Sequence, residues 1–149
     1  MRRFILLAMA AGLTLVPFAR PALAATKTPF TATISLVTIV DPGSERFNGD
    51  VYHLRDQQVE GTLTGDLEGS YTQEVNVNYN NHDLRGNAWG TLVLITPDVT
   101  WVCTYRVIVE DLISGTFVGR GDDGSEISGT WTQVFGEIPA TLDGTILGP

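Results

Sequence analysis

The chain has few of the residues that build disulfides, metal sites or hydrolase triads. Cys103 is the only cysteine, so no intrachain disulfide can form. The two histidines, His53 and His82, are far apart in the sequence and give no close pair to anchor zinc. No serine occupies a Gly-x-Ser-x-Gly elbow. We therefore expect neither a metal nor a cofactor, and stability must come from packing.

Basic residues are also scarce. Three of the nine, Arg2, Arg3 and Arg20, lie in the first 24 residues, which leaves six against all seventeen acidic residues and a formal charge of −11 beyond residue 24. A surface of this sign repels nucleic acid and anionic membrane. Neither is expected as a partner.

The first 24 residues have the pattern of a secretory signal peptide. Arg2 and Arg3 supply the positive start of this pattern. Residues 4–16 form an apolar run that is too short for a stable membrane anchor. Ala22-Leu23-Ala24 matches the small-x-small pattern that signal peptidase cleaves. We predict a signal peptide over residues 1–24 and one domain over residues 25–149. The mature protein is then secreted, extracellular or periplasmic, with no membrane contact after cleavage.

Apolar residues in the mature part alternate with period two, and helical spacing is not sustained beyond two turns. Tyr71, Gln73, Val75, Val77 and Tyr79 share one face of a predicted strand. The clearest alternation spans residues 99–109, although Val102 and Ile108 on its polar face leave open that both sides are covered. Counting by twos also places four further residues on one face, namely His53, Arg55, Gln57 and Val59.

About eight strands are predicted, separated by turn sequences such as Asn48-Gly49-Asp50 and Asp122-Asp123-Gly124. Their ranges are 30–40, 51–64, 71–79, 88–96, 99–109, 112–119, 126–135 and 140–147. Short strands at this spacing indicate a meander that closes into a barrel or folds into a sandwich. Closure is favoured because it removes exposed edges without disulfides. The predicted fold class is therefore all-β, a single antiparallel closed barrel of about eight strands.

Glycine-rich strands give the chain a resemblance to a known group. The stretches that carry it are 61–66 (Gly-Thr-Leu-Thr-Gly-Asp), 115–121 (Gly-Thr-Phe-Val-Gly-Arg-Gly) and 142–147 (Leu-Asp-Gly-Thr-Ile-Leu). They resemble strands of the allene oxide cyclase and dirigent-like β-barrels, which are calycin-like in shape. The resemblance covers roughly residues 50–147 and implies an eight-stranded antiparallel barrel. It matches no active-site motif, so it implies no catalytic residue.

Aromatic and polar residues on the predicted strands are the candidates for a site. A barrel mouth lined by aromatic rings with a few convergent polar groups suits a small apolar ligand. The ligand-binding candidates are Trp89, Trp101, Tyr105, Trp131 and His53. The catalytic candidates are Glu74, Arg55 and Arg106. They would assist a cyclisation or isomerisation in which the barrel mainly holds a reactive substrate in the required conformation. The alternative is that the aromatic rings are ordinary core and the charges lie on the outer face.

Three functions stay open at this point. The leading one is binding of a small hydrophobic or aromatic molecule inside a secreted barrel, without a cofactor. The second is a cofactor-independent cyclase or isomerase, for which ionisable residues should point into a cavity. The third is a structural or interaction protein whose barrel is filled. A homo-oligomer is compatible with this barrel shape, and nothing in the sequence fixes the stoichiometry.

Overall fold

The computed structural model describes residues 25–148, apart from the side chains of Leu36 and Val37. The predicted signal peptide lies outside the described residues. Nine strands make up the described part of the chain: β1 Lys27–Asp41, β2 Ser44–Asn48, β3 Val51–Gly65, β4 Gly69–Asn80, β5 Arg85–Ile95, β6 Thr100–Val109, β7 Leu112–Gly121, β8 Glu126–Val134 and β9 Ala140–Leu147. Residues 25–148 contain no helix long and apolar enough to cross a membrane.

Eight of the nine strands close into an antiparallel barrel, which confirms the predicted fold class. From β3 to β9 each strand pairs with the next along the chain, and β1 pairs with β9 on one side and β3 on the other. The segment 32–34 of β1 makes both pairings at once, to residues 63–65 and to residues 140–142. The alternative of a two-sheet sandwich is therefore not adopted.

Strand β2 is not among the predicted strands and lies outside the ring. It pairs only with the first five residues of β3, whereas β1 pairs with the last eight, Gln58–Gly65. Strands β2 and β1 thus pair with the same edge of β3, β2 with its beginning and β1 with its end. The sequence 44–48 (Ser-Glu-Arg-Phe-Asn) is exposed along its whole length, so it lacks the alternation by which the other strands were predicted.

Alternation along the strands separates a barrel interior from an outer face. In β6 the residues Trp101, Cys103, Tyr105, Val107 and Val109 are buried, and the residues between them are exposed. Val102 and Ile108 keep 57% and 46% of their surface exposed. Within the described chain, β6 is therefore covered on its inner side only.

A β-bulge in β3 changes which residues face inward. The pairing of β3 with β4 shifts between Leu54 and Gln57, and Asp56 has a left-handed backbone with φ of 57°. Leu54 is buried before the bulge and Val59 after it, so the inward set changes from even to odd numbers. The prediction that His53, Arg55, Gln57 and Val59 share one face is wrong because the extra residue interrupts the period of two.

The side chain of Asn76 supports this bulge from the neighbouring strand. Its Oδ1 accepts a hydrogen bond from the Asp56 amide at 3.1 Å, and its Nδ2 donates to Glu74 Oε1 at 3.0 Å. Asn76 is 6% exposed and is one of three buried polar side chains in the described chain. The amide of Asp56 cannot join a regular ladder at the bulge, so Asn76 supplies its acceptor.

We predict that Asn76→Ala destabilises the barrel by about 1–3 kcal/mol, because it leaves the bulge amide without its acceptor. Equilibrium unfolding in urea measures the difference. The matched control is Asn87→Ala, which removes an exposed amide from the outer face of β5 and should change stability by less than about 0.5 kcal/mol. Equal effects of the two substitutions would contradict the role given to Asn76.

Candidate functional site

The barrel interior contains a cavity of about 480 Å³ that lies toward one end. We call this the open end; it carries the turns that follow β2, β4, β6 and β8. Twenty-one residues line the cavity, chiefly from β3, β4, β6 and β8 and from the loop 135–139 between β8 and β9. The size falls within the range of pockets that hold small organic ligands.

The opposite end, which we call the closed end, is filled by side chains. Leu67 in the β3–β4 turn is buried, and Trp101 Nε1 donates to Ser125 Oγ at 2.9 Å in the β7–β8 turn. The interior at this end is packed by large side chains that are almost fully buried, among them Leu63, Leu92, Leu94, Phe117, Ile127 and Leu142. The cavity is therefore reached from the open end.

An aromatic pair forms one wall of the cavity. Tyr105 and Trp131 stack with ring centroids 5.6 Å apart and an interplanar angle of 22°. The Tyr105 hydroxyl donates to the Glu74 backbone carbonyl at 3.0 Å, reaching across β5 at Gly90. An added Cβ at Gly90 would lie 3.3 Å from Tyr105 Cε1 and would collide with the Glu74 carbonyl. Glycine at position 90 thus makes room for the tyrosine that bridges β6 and β4.

The wall continues to the open end through a chain of hydrogen bonds. Trp131 Nε1 donates to Gln133 Oε1 at 3.4 Å, and Gln133 Nε2 donates to the Glu137 carbonyl at 2.8 Å. In the same loop, Phe135 stacks on Tyr79 of β4 at 5.6 Å with an interplanar angle of 8°. The Gln133 amide and the Phe135 ring therefore help to fix the loop 135–139 to the rim, together with the Phe135 backbone amide, which donates to the Asp111 carbonyl at 2.9 Å.

Neutral polar groups are distributed over this otherwise apolar lining. Three glutamines line the cavity, Gln57 from β3, Gln73 from β4 and Gln133 from β8, together with the tyrosines Tyr52, Tyr71, Tyr79 and Tyr105. The carboxylate of Glu137 is the only charged group among the described lining residues, and Glu137 is exposed at the rim. The interior can therefore donate and accept hydrogen bonds but supplies no buried charge.

Burial governs the acid–base behaviour of the interior. Burial raises the pKa of Tyr71 to about 12. The pKa of Tyr105 is raised further, mainly by burial and also by the Glu74 charge, although a hydrogen bond from Gln73 opposes the rise. Burial likewise raises the pKa of Cys103 to about 12. These groups stay neutral near neutral pH, so the Cys103 thiol is a buried apolar group without nucleophilic character.

The structure brings two of the ligand-binding candidates to the cavity. Tyr105 and Trp131 line it as the stacked pair, whereas Trp101 is buried at the closed end. Trp89 and His53 lie outside it. Trp89 borders a groove on the outer face of β5–β8, because the neighbouring Ala88 takes the inward position.

The three catalytic candidates also lie outside the cavity. Arg55 sits at the bulge with its guanidinium 5.0 Å from the centre of the Trp89 ring, and it donates to the carbonyls of Leu54 and Val77. Arg106 is exposed on the outer face of β6.

On the outer face, Arg55, His53 and Glu74 each contact an asparagine of β4. Asn78 Oδ1 accepts from Arg55 at 2.6 Å and contacts His53 Nδ1 at 2.7 Å, while the Glu74 carboxylate holds Asn76. In residues 25–148 no group of three or more His, Cys, Asp or Glu side chains is arranged to hold a metal ion.

Most residues of the cavity were not among the candidates from the sequence. The face Tyr71, Gln73, Val75, Val77 and Tyr79 was predicted as one side of a strand, and all five line the cavity. The feature of the sequence that indicates a cavity here is Gln73, a polar residue on the otherwise apolar face of this strand. Gln133, two positions after Trp131 on β8, gives the same signal.

Comparisons with known proteins add no relative: the chain matches no protein-family model, no curated protein and no solved structure. The closed antiparallel barrel is therefore established by the structure alone. The resemblance to allene oxide cyclase and dirigent-like proteins is supported at the level of this architecture and no further.

The buried tyrosines predict that the barrel loses stability in alkali. The folded chain holds the Tyr71 proton up to a pKa of about 12, whereas a tyrosine in the unfolded chain ionises near 10. The stabilising contribution is thus complete below about pH 10 and is lost as the pH rises toward 12. Urea unfolding at a series of pH values should show this fall. Tyr71→Phe should make it shallower, and an unchanged slope in that variant would contradict the assignment.

Proposed function

We propose that the protein binds a small hydrophobic or aromatic molecule inside its barrel. The observation that carries the proposal is the cavity of about 480 Å³, open at one end and lined mainly by apolar and aromatic side chains. Burial of an apolar ligand there is favourable because it removes apolar surface of both ligand and protein from water. Following the pattern of residues 1–24, we also propose that it acts outside the cytoplasm.

The stacked rings of Tyr105 and Trp131 support an aromatic ligand in particular. Both rings are held by hydrogen bonds, Tyr105 through the Glu74 carbonyl and Trp131 through Gln133. Rings fixed in this way lose little freedom when a planar ligand packs against them. A ligand entering from the open end first meets Tyr79 and Phe135 and then this pair.

The other two functions receive less support. A cyclase or isomerase needs an acid, a base or a cation at the substrate, but Glu74, Arg55 and Arg106 do not line the cavity. Buried tyrosines with a raised pKa are weak acids at neutral pH. A structural protein with a filled barrel is expected to have no interior cavity, whereas this barrel contains one at its open end.

Filling the cavity should weaken binding. Val107 is buried in β6 and lines the cavity, so Val107→Trp places an indole where the ligand would lie. We expect the affinity for the neutral fluorescent probe N-phenyl-1-naphthylamine to fall about tenfold or more, which corresponds to about 1.4 kcal/mol. Titration of the mature protein with the probe, followed by its fluorescence, measures the affinity.

The matched control is Val102→Trp, the same substitution on the outer face of the same strand, where the valine is 57% exposed. This variant should bind the probe as the natural protein does. Equal loss in both variants, or probe binding that Val107→Trp leaves unchanged, would contradict binding in the barrel interior. Absence of probe binding by the natural protein would contradict the proposed function itself.

A further inference from the structure

The placement of charge in the barrel points to the class of ligand. This inference rests on the proposed function, since it concerns the same cavity. All six basic residues of the part after residue 24 lie away from the cavity lining. Two of them, Arg85 and Arg120, pair with carboxylates on the surface, at 2.8 Å to Glu110 and 2.6 Å to Glu126. Arg55 is engaged at the bulge by Asn78 and two backbone carbonyls.

The interior supplies neutral hydrogen-bonding groups in place of cations. Gln57 and Gln73 line the cavity from neighbouring strands. A primary amide both donates and accepts, so it can meet a hydroxyl, a carbonyl or an amide of a ligand. A carboxylate would instead lose its hydration without gaining a counter-ion, which costs far more than the transfer of a neutral polar group.

The open end adds a second barrier to anions. An anionic ligand could keep its carboxylate in water by pointing it out of the barrel. It would then meet Glu137, which lines the cavity at the rim, and Asp111, whose backbone carbonyl accepts a hydrogen bond from the Phe135 amide of the same loop. The excess of seventeen acidic over six basic residues after residue 24 repels an approaching anion as well.

We infer that the cavity selects an uncharged ligand that carries a neutral hydrogen-bonding group, and that it rejects the carboxylate of the same carbon skeleton. Gln57 is a residue that determines this selection. It follows the bulge in β3 and lines the cavity, while the next residue, Gln58, does not. A cation introduced at position 57 would face the ligand, whereas one at position 58 would not.

Three naphthalenes of nearly equal size test the selection: 2-naphthylmethanol, 2-naphthoate and 2-naphthylmethylammonium. Their affinities for the mature protein at neutral pH are measured by displacement of N-phenyl-1-naphthylamine. We expect the neutral alcohol to bind about tenfold or more tightly than either ion. Equal displacement by the alcohol and the carboxylate would overturn the inference while leaving the proposed function intact. Failure of the probe and all three compounds to bind would overturn both.

The pair Gln57→Arg and Gln58→Arg assigns the selection to the cavity. Both variants change the net charge equally, but only Gln57→Arg supplies a counter-ion inside. We expect Gln57→Arg to tighten 2-naphthoate about tenfold and Gln58→Arg to change it less than about twofold. An equal gain in both variants would show that the overall field excludes anions and would overturn the role of the lining. If Gln57→Arg does not fold, the comparison of the three compounds on the natural protein still decides the inference.

Discussion

Closure of the ring through β1 is the constraint on which the rest of the structure depends. Residues 32–34 hydrogen-bond to β9 and β3 at the same time, so the chain's first and last described strands are adjacent. A closed ring has one interior, and each of its eight strands has a neighbour on both sides. Every residue of these strands must then point either into a shared space or outward. Many small secreted domains use disulfides to hold distant parts of the chain together. This chain has a single cysteine, and the pairing of β1 with β3 and β9 holds the ends of its described part together instead.

The shared interior is filled unevenly because large and small side chains are distributed unevenly along the strands. Toward the closed end, aromatic rings lie over inward-facing glycines of neighbouring strands. An added Cβ at Gly61 would lie 2.6 Å from Tyr71 Cε1, and one at Gly129 would lie 2.8 Å from Phe117 Cζ. Toward the open end the inward residues include Val75, Val77, Ala88 and Val107, which are too short to meet across the barrel. The cavity is thus a consequence of side-chain size on a regular backbone.

The sequence predicts the fold well because its signals are local. Alternation with period two and turn sequences at short intervals give all eight strands of the ring, and the need to remove edges favours closure. The site is predicted less well. Tyr105 and Trp131 are found because aromatic residues on inward faces stand out in a sequence. Gln57 is assigned the wrong neighbours because one extra residue at Asp56 reverses the face, and no turn sequence marks that position. The orientation of Trp89 is ambiguous for a related reason: Ala88 and Trp89 are both apolar, so the alternation does not tell which of them faces inward. The structure buries Ala88.

The three buried polar side chains of the described chain lie at three irregular features of this barrel: its closed end, the bulge in β3 and the cavity. Ser125 accepts from Trp101 and bonds Asp123, which completes the closed end. Asn76 supports the bulge that brings Gln57 into the cavity. Gln73 lies in the cavity lining beside Tyr105. Burying an amide or a hydroxyl costs free energy unless a partner is present, and each of the first two has a partner that explains it structurally. The hydroxyl of the neighbouring Tyr105 already donates to the Glu74 carbonyl, so the position of Gln73 is better explained by the cavity that it faces.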